Sequence, residues 1–217
     1  MLPAFSPTIA GPRLTWGAGA MRPDGLAAVC SDVIVSARRR IVELGRGVST
    51  VLLARLLTRR RPPGGWRLAA VEHDAGWVQR VSDELDREGI GDHVAVLHAP
   101  LVPHGLSDGE LLWYDEAAVT AGLDAALGGD LIDLLVVDGP PAYAPGYGLA
   151  RYPALPVLQP RLAPGATVVL DDVERPGEQE VVRRWERQIG LSFRRLPEQA
   201  GVAVATISGP ISARRQT

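Results

Sequence analysis

Apolar residues recur along the chain in two rhythms. Short apolar runs read as strands at Arg40–Leu44, Arg67–Glu72, His93–His98, Ile132–Val137 and Ala166–Leu170. Between them the spacing turns helical. From Pro23, a residue suited to a first helical turn, Leu26, Val29, Val33 and Ile34 follow at helical intervals. Ser49–Thr58 places Val51, Leu52, Ala54, Leu56 and Leu57 on a buried face. Asp74 is positioned to cap a helix over Trp77–Arg87. Glu110–Leu127 reads as helical, most clearly from Asp115, and Gly177–Ile189 is amphipathic. Arg151–Leu162 has a helix's apolar content, but Pro153, Pro156 and Pro160 interrupt it.

Strands of five or six residues alternating with helices predict parallel βαβ units with right-handed crossovers, an α/β class. Ile132–Val137 and Ala166–Leu170 are apolar throughout, as strands covered on both faces are. The chain closes differently. Ser192–Leu196 and Val202–Ile207 are separated only by Pro197–Gly201, which predicts an antiparallel hairpin at a sheet edge. Residues 1–22, rich in Pro, Gly and Ala, read as an irregular arm. Residues 23–209 form one expected domain, and 210–217 a flexible tail.

Composition narrows the function. The 217 residues are 46% hydrophobic and 22% charged, enough apolar content for a sizeable core. The formal net charge of -2 offers no basic track for nucleic acid. The densest basic run, Arg59-Arg60-Arg61, falls at an expected helix end, where it complements the dipole. Every basic residue other than histidine is Arg, so no Lys is present to act as a base. Cys30 is the only cysteine, which excludes an internal disulfide or a zinc cluster and suits a reducing cytoplasm. Met1–Thr15 is broken by Pro3, Pro7 and Pro12 and does not read as a secretion signal, and no apolar run suggests a membrane span.

Ligands of such sheets bind beyond the carboxyl ends of the strands. After the first strand stands Glu43-Leu44-Gly45-Arg46-Gly47-Val48-Ser49-Thr50. Its two glycines let the backbone turn sharply and let a ligand approach, and the next helix offers free N–H groups. A dinucleotide fingerprint would place a third Gly near Thr50, and it is absent. The second strand ends in Glu72, followed by His73 and Asp74. A carboxylate there can accept both hydroxyls of a ribose, so the pair of loops points to an adenosine ligand.

Glu43-x-Gly45-x-Gly47 followed by Glu72 resembles the class I S-adenosylmethionine-dependent methyltransferases. Leu131–Pro141 (LIDLLVVDGPP) and Pro164–Asp172 (PGATVVLDD) are similar to the fourth- and fifth-strand motifs of bacterial small-molecule O-methyltransferases. The likeness spans roughly residues 23–207. It implies a three-layer, Rossmann-like sheet of seven strands in the order 3-2-1-4-5-7-6, with the last strand antiparallel. It implies that Gly45 and Gly47 pass under the cofactor's methionine part, with Ser49 and Thr50 beside them. Glu43 would orient the cofactor's amino group, Glu72 would hold the ribose, and His73, His98 and Ala99 would border the nucleoside. Asp138 would face the methyl group and serve as general base. With Asp171 and Asp172 it matches the positions that hold Mg²⁺ in metal-dependent relatives. One departure stands out: catechol-type enzymes place a Lys shortly after the strand-four Asp, and here the stretch reads Gly139-Pro140-Pro141-Ala142-Tyr143.

Other roles stay open for these residues. Asp171 or Asp172 is also placed to cap the next helix, and Asp138 to stabilise a turn. Tyr143, Tyr147 and Arg151 suit a clamp on a planar or anionic substrate, or ordinary loop packing. His104 is a candidate to face substrate; Trp113 and Tyr114 are candidates for an adenine contact or the core. Trp16 and Gly17–Arg22 are candidates for a lid, or for packing on a second copy in a homodimer. The expected activity is methyl transfer from S-adenosylmethionine to a small-molecule hydroxyl. A nicotinamide-dependent oxidoreductase and a non-catalytic binding module are the alternatives.

Overall fold

A computed structural model describes residues 11–12, 14, 19–45, 47–106, 111–143 and 147–207. The strands are β1 (Arg40–Leu44), β2 (Arg67–Glu72), β3 (Val94–His98), β4 (Leu101–Pro103), β5 (Leu112–Tyr114), β6 (Ile132–Val137), β7 (Leu162–Leu170), β8 (Arg194–Arg195) and β9 (Ala203–Thr206). The α-helices are α1 (Pro23–Val35), α2 (Val48–Arg60), α3 (Ala75–Arg87), α4 (Glu116–Leu127), α5 (Ala154–Leu158) and α6 (Pro176–Ile189).

Seven strands form one sheet in the order β3-β2-β1-β6-β7-β9-β8. Counting only these seven, that is the expected 3-2-1-4-5-7-6. The first five are parallel, and β9 runs antiparallel to both β7 and β8. Side chains of a strand alternate between faces, so each central strand feeds two cores. Val42, Leu44, Leu135, Val137, Val168 and Leu170 pack with α4, α5 and α6. Ile41, Leu68, Leu134, Val136 and Val169 pack with α1, α2 and α3. The sheet is thus the middle of three layers.

Local chemistry sets the helix ends. The Asp74 carboxylate accepts from Trp77 N at 3.0 Å and the Asp115 carboxylate from Ala118 N at 2.8 Å, each starting a helix. Gly128 and Gly190 end α4 and α6 in the left-handed conformation. Arg59 and Arg60 lie in the last turn of α2, as the charge run suggested.

Three expectations are corrected. The segment before Asp115 is not helical: Leu112–Tyr114 pairs with Leu101–Pro103 as a small separate hairpin. Trp113 and Tyr114 are fully buried in the core there. The proline-broken stretch keeps only the short α5 and a 3₁₀ turn at Gln159–Arg161, because prolines cannot donate the backbone bonds a longer helix needs. Finally, β7 begins at Leu162 rather than Ala166, with an irregularity in its pairing opposite Ile132–Leu134. Trp16 and the tail 210–217 lie outside the described residues. No helix among the described residues is long and apolar enough to cross a membrane.

Candidate active site

The backbone ladder runs one residue beyond each central strand. Gly45 N donates to Val71 O at 3.0 Å, Ala99 N to Glu72 O at 2.9 Å, Asp138 N to Leu44 O at 2.8 Å and Asp171 N to Val137 O at 3.0 Å. These bonds line up the post-strand residues along one edge of the sheet. Gly45 adopts φ +108°, and a Cβ there would lie 2.9 Å from the Asp138 carbonyl carbon. Only glycine combines that conformation with that approach. Gly47, at φ +118°, is the N-cap of α2, and a Cβ on it would meet open space.

Glu43 follows the alternation that sends Ile41 to the α1–α3 side, and it is fully buried. Thr50 Oγ1 donates to Glu43 Oε2, while Oε1 has no hydrogen-bond partner among the described residues. Burial pushes the Glu43 pKa up to about 7, although the hydroxyls of Ser49 and Thr50 favour the charged form. A buried acceptor without a donor is costly, and a ligand ammonium would relieve it.

Glu72 is also buried. Its Oε1 accepts from Asp74 N at 2.7 Å and lies 2.8 Å from His73 Nδ1. His98 Nε2 is 3.0 Å from His73 O, which ties the turns after β2 and β3 together. Ala99 is fully buried. His104 is occupied elsewhere, 3.1 Å from the Glu116 carboxylate and edge-on to Trp113.

At the ends of β6 and β7, carboxylate oxygens of Asp138, Asp171 and Asp172 lie within 4.8 Å of one another. Neither acid of the pair caps α6, whose N-cap is Arg175. Burial raises the pKa of Asp138 well above the usual carboxylate range, against the pull of Arg151. Asp171 is raised too, by burial and then by the charge of Asp172. Asp172 adopts φ +60°, a conformation that Asp tolerates better than most residues.

The three expected clamp residues part company. Tyr143 and Tyr147 are exposed, whereas Arg151 is buried in the carboxylate cluster. Arg151 Nη2 lies 3.3 Å from Asp138 Oδ1 and 3.1 Å from Asp172 Oδ2. It also donates to Asp138 O at 2.9 Å, Nη1 donates to Asp171 O at 3.2 Å, and Nε to Pro140 O at 3.3 Å. Burial works against the Arg151 charge, but the surrounding carboxylates outweigh it and hold its pKa above the ordinary value. The sequence reasoning missed Arg175 and Glu178. Arg175 Nη1 is 2.8 Å from Asp172 Oδ2, and buried Glu178 Oε1 is 3.8 Å from Arg151 Nη1. Glu178 shares one helical face with the apolar residues Val181, Val182 and Trp185. An acid on an apolar face is the signal that would have found it.

Whether the three aspartates fit a divalent ion turns on Arg151. Its guanidinium already contacts two of the three carboxylates, so the donor set is not a free oxygen cage. Separately, a cavity of about 370 Å³ opens beside Gly47, between the first turn of α2, the Trp77–Glu84 stretch of α3 and the stretch near Leu14 and Ala20. Its lining is mostly apolar and includes Trp77 and Val81, and none of the aspartates of the cluster.

No curated protein matches the chain. Solved structures similar to it include an O-methyltransferase from Bacillus cereus in complex with S-adenosylhomocysteine. That likeness has 17% identity and TM-score 0.61, covering 88% of this chain and 84% of that one. A methyltransferase from Geobacter sulfurreducens shows 15% identity and TM-score 0.59, over 88% and 82% of the two chains. An S-adenosylhomocysteine-bound methyltransferase from Podospora anserina shows 13% identity and TM-score 0.58, over 92% and 100%. At such identities the likeness concerns the fold. The family described as a methyltransferase domain matches residues 42–173, from β1 through the Asp171-Asp172 pair. That stretch is more than half of the sequence, and the chain belongs to the methyltransferase domain family.

Proposed function

We propose that the chain transfers the methyl group of S-adenosylmethionine to a hydroxyl oxygen of a small molecule. The observation that carries this reading is the contact between the glycine turn and Asp138, with buried Glu43 two residues before Gly45. A sulfonium cofactor lying over Gly45 and Gly47 would bring its methyl group towards Asp138. The orphaned Oε1 of Glu43 suits the cofactor's ammonium, with Ser49 and Thr50 setting that carboxylate's position. Glu72 suits the ribose hydroxyls, and His73, His98 and Ala99 the edge of the nucleoside.

In the reaction, the acceptor oxygen attacks the methyl carbon in line with the departing sulfur. The new O–CH₃ bond takes the oxygen's electron pair, the C–S bond breaks, and the sulfur leaves uncharged. The acceptor's proton passes to a carboxylate, for which Asp138 is the candidate. Exposed Tyr143 and Tyr147 are the candidates to line an aromatic acceptor. The reading takes residues 23–209 as the catalytic domain.

Family membership and the missing third glycine weigh against the nicotinamide alternative. Calorimetric titration separates the readings. S-adenosylmethionine and S-adenosylhomocysteine are expected to give saturable heat, and NADH none. Heat from NADH with silence from both adenosyl compounds would sink the proposal. Silence from all three would favour a binding module.

A further inference from the structure

Metal-dependent members of this fold neutralise their strand-end carboxylates with a divalent ion. In this chain the same place holds protein cations. Arg151 comes from the turn before α5, yet its side chain is almost wholly buried between the ends of β6 and β7. Its Nη2 reaches Asp138 Oδ1 and Asp172 Oδ2, on two of the three carboxylates an ion would need. Arg175 adds a second guanidinium at 2.8 Å from the same Asp172 oxygen. Glu178 closes the far side, 3.8 Å from Arg151 and 3.7 Å from Arg175.

Charge and geometry lead to the same result. The two arginines together carry the charge of one divalent cation. An ion bound at about 2.1 Å to Asp138 Oδ1 or Asp172 Oδ2 would lie within roughly 5 Å of the Arg151 guanidinium. At that range, inside a protein, like charges repel strongly. The guanidinium is also anchored to the Pro140, Asp138 and Asp171 carbonyls, so moving it aside would break several buried hydrogen bonds.

We propose that Arg151, seconded by Arg175, is the resident cation of the carboxylate cluster, so that methyl transfer proceeds without a divalent metal and Asp138 is positioned by Arg151. This deepens the methyltransferase reading and rests on it. Arg151 is then a positioning residue rather than a substrate clamp.

The test uses thermal unfolding of the full chain after treatment with chelator. The Tm of the wild-type protein is expected to ignore millimolar Mg²⁺ or Mn²⁺, and S-adenosylhomocysteine is expected to bind equally with and without ion. Arg151→Met removes the charge but keeps a long side chain. Its Tm is expected to fall, and each divalent ion is expected to restore several degrees of it. Arg151→Lys, which retains a cation, is expected to show no such response. A rise in wild-type Tm with Mg²⁺ that Asp172→Asn abolishes would overturn the proposal, and that arm stands even if Arg151→Met fails to fold. A folded Arg151→Met protein that ignores the ions would overturn it as well. S-adenosylhomocysteine binding by the wild type is read separately, so failure of the methyltransferase reading is distinguishable from failure of this one.

Discussion

Glu43 holds an acid where water cannot reach it, two residues before Gly45 of the glycine turn. Its pKa of about 7, against an ordinary 4.5, means that the folded protein keeps a proton there that the unfolded chain has lost. Stability from this group is therefore full below about pH 4.5 and declines as pH rises through 7. The shift corresponds to roughly 3 kcal/mol at most. Urea unfolding should show the ligand-free protein losing stability between about pH 5 and 8, and Glu43→Gln should flatten that slope. Cofactor binding should move the other way, because an ammonium prefers the ionised carboxylate. Affinity for S-adenosylhomocysteine is expected to rise as pH passes 7 in the wild type and to stay level in Glu43→Gln. A level wild-type profile would remove Glu43 from the amino-group site. Glu43, Glu72 and the three aspartates were legible in the sequence because each stands at or just after a strand, where chemistry collects in this fold. Arg151 read from the sequence as part of a substrate clamp or as ordinary packing in a Gly/Pro-rich loop. Its burial depends on carboxylates from two other elements, and no local pattern encodes that.

Helix α6 shows how an element holds the site. Its second residue, Gly177, packs directly on the loop that carries Arg151: a Cβ there would lie 2.3 Å from Gly148 O and 2.6 Å from Gly148 Cα. Two effects of Gly177→Ala oppose each other. Helix propensity favours Ala by about 1 kcal/mol, and overpacking against backbone costs about 1–3 kcal/mol. The contacts are to backbone rather than to a flexible side chain, so overpacking should win. A net loss of about 1 kcal/mol is expected, seen as a lower urea midpoint at unchanged slope. Stabilisation by the full propensity gain would show that the loop yields freely. Gly45→Ala faces a harder conflict, since positive φ and the Asp138 backbone both oppose it. It should weaken S-adenosylhomocysteine binding at least tenfold, about 1.4 kcal/mol, by calorimetry. The elements themselves were largely legible. Asp74 and Asp115 start helices, and strands and helices alternate as their apolar spacing predicts. The β4–β5 hairpin was not legible, because Leu112–Tyr114 is a short apolar run that fits either a strand or the start of a helix.

On the scale of the whole molecule, the sheet couples two hydrophobic cores through the alternating side chains of its strands. The closing hairpin was readable from the five-residue spacer Pro197–Gly201, and it completes the sheet beside β7. The position of β1 beside β6, where a ligand crevice is proposed, was expected from family likeness; no pairing signal along the chain dictates it. The crevice draws residues from β1, β2, β6 and β7, so a ligand there grips strands that contact both cores. Unfolding of any one of these strands would release the ligand, and its binding energy therefore adds to the stability of the whole unit. At about 100 times its Kd, a ligand specific for the folded state adds about 2.7 kcal/mol. For a chain of this size that raises Tm by roughly 5–10 °C. S-adenosylhomocysteine should produce that rise as a shift of a single transition, whereas NADH should leave Tm unchanged. Two separate transitions, only one of them responsive to the ligand, would show that the cores unfold independently and that the crevice belongs to one of them.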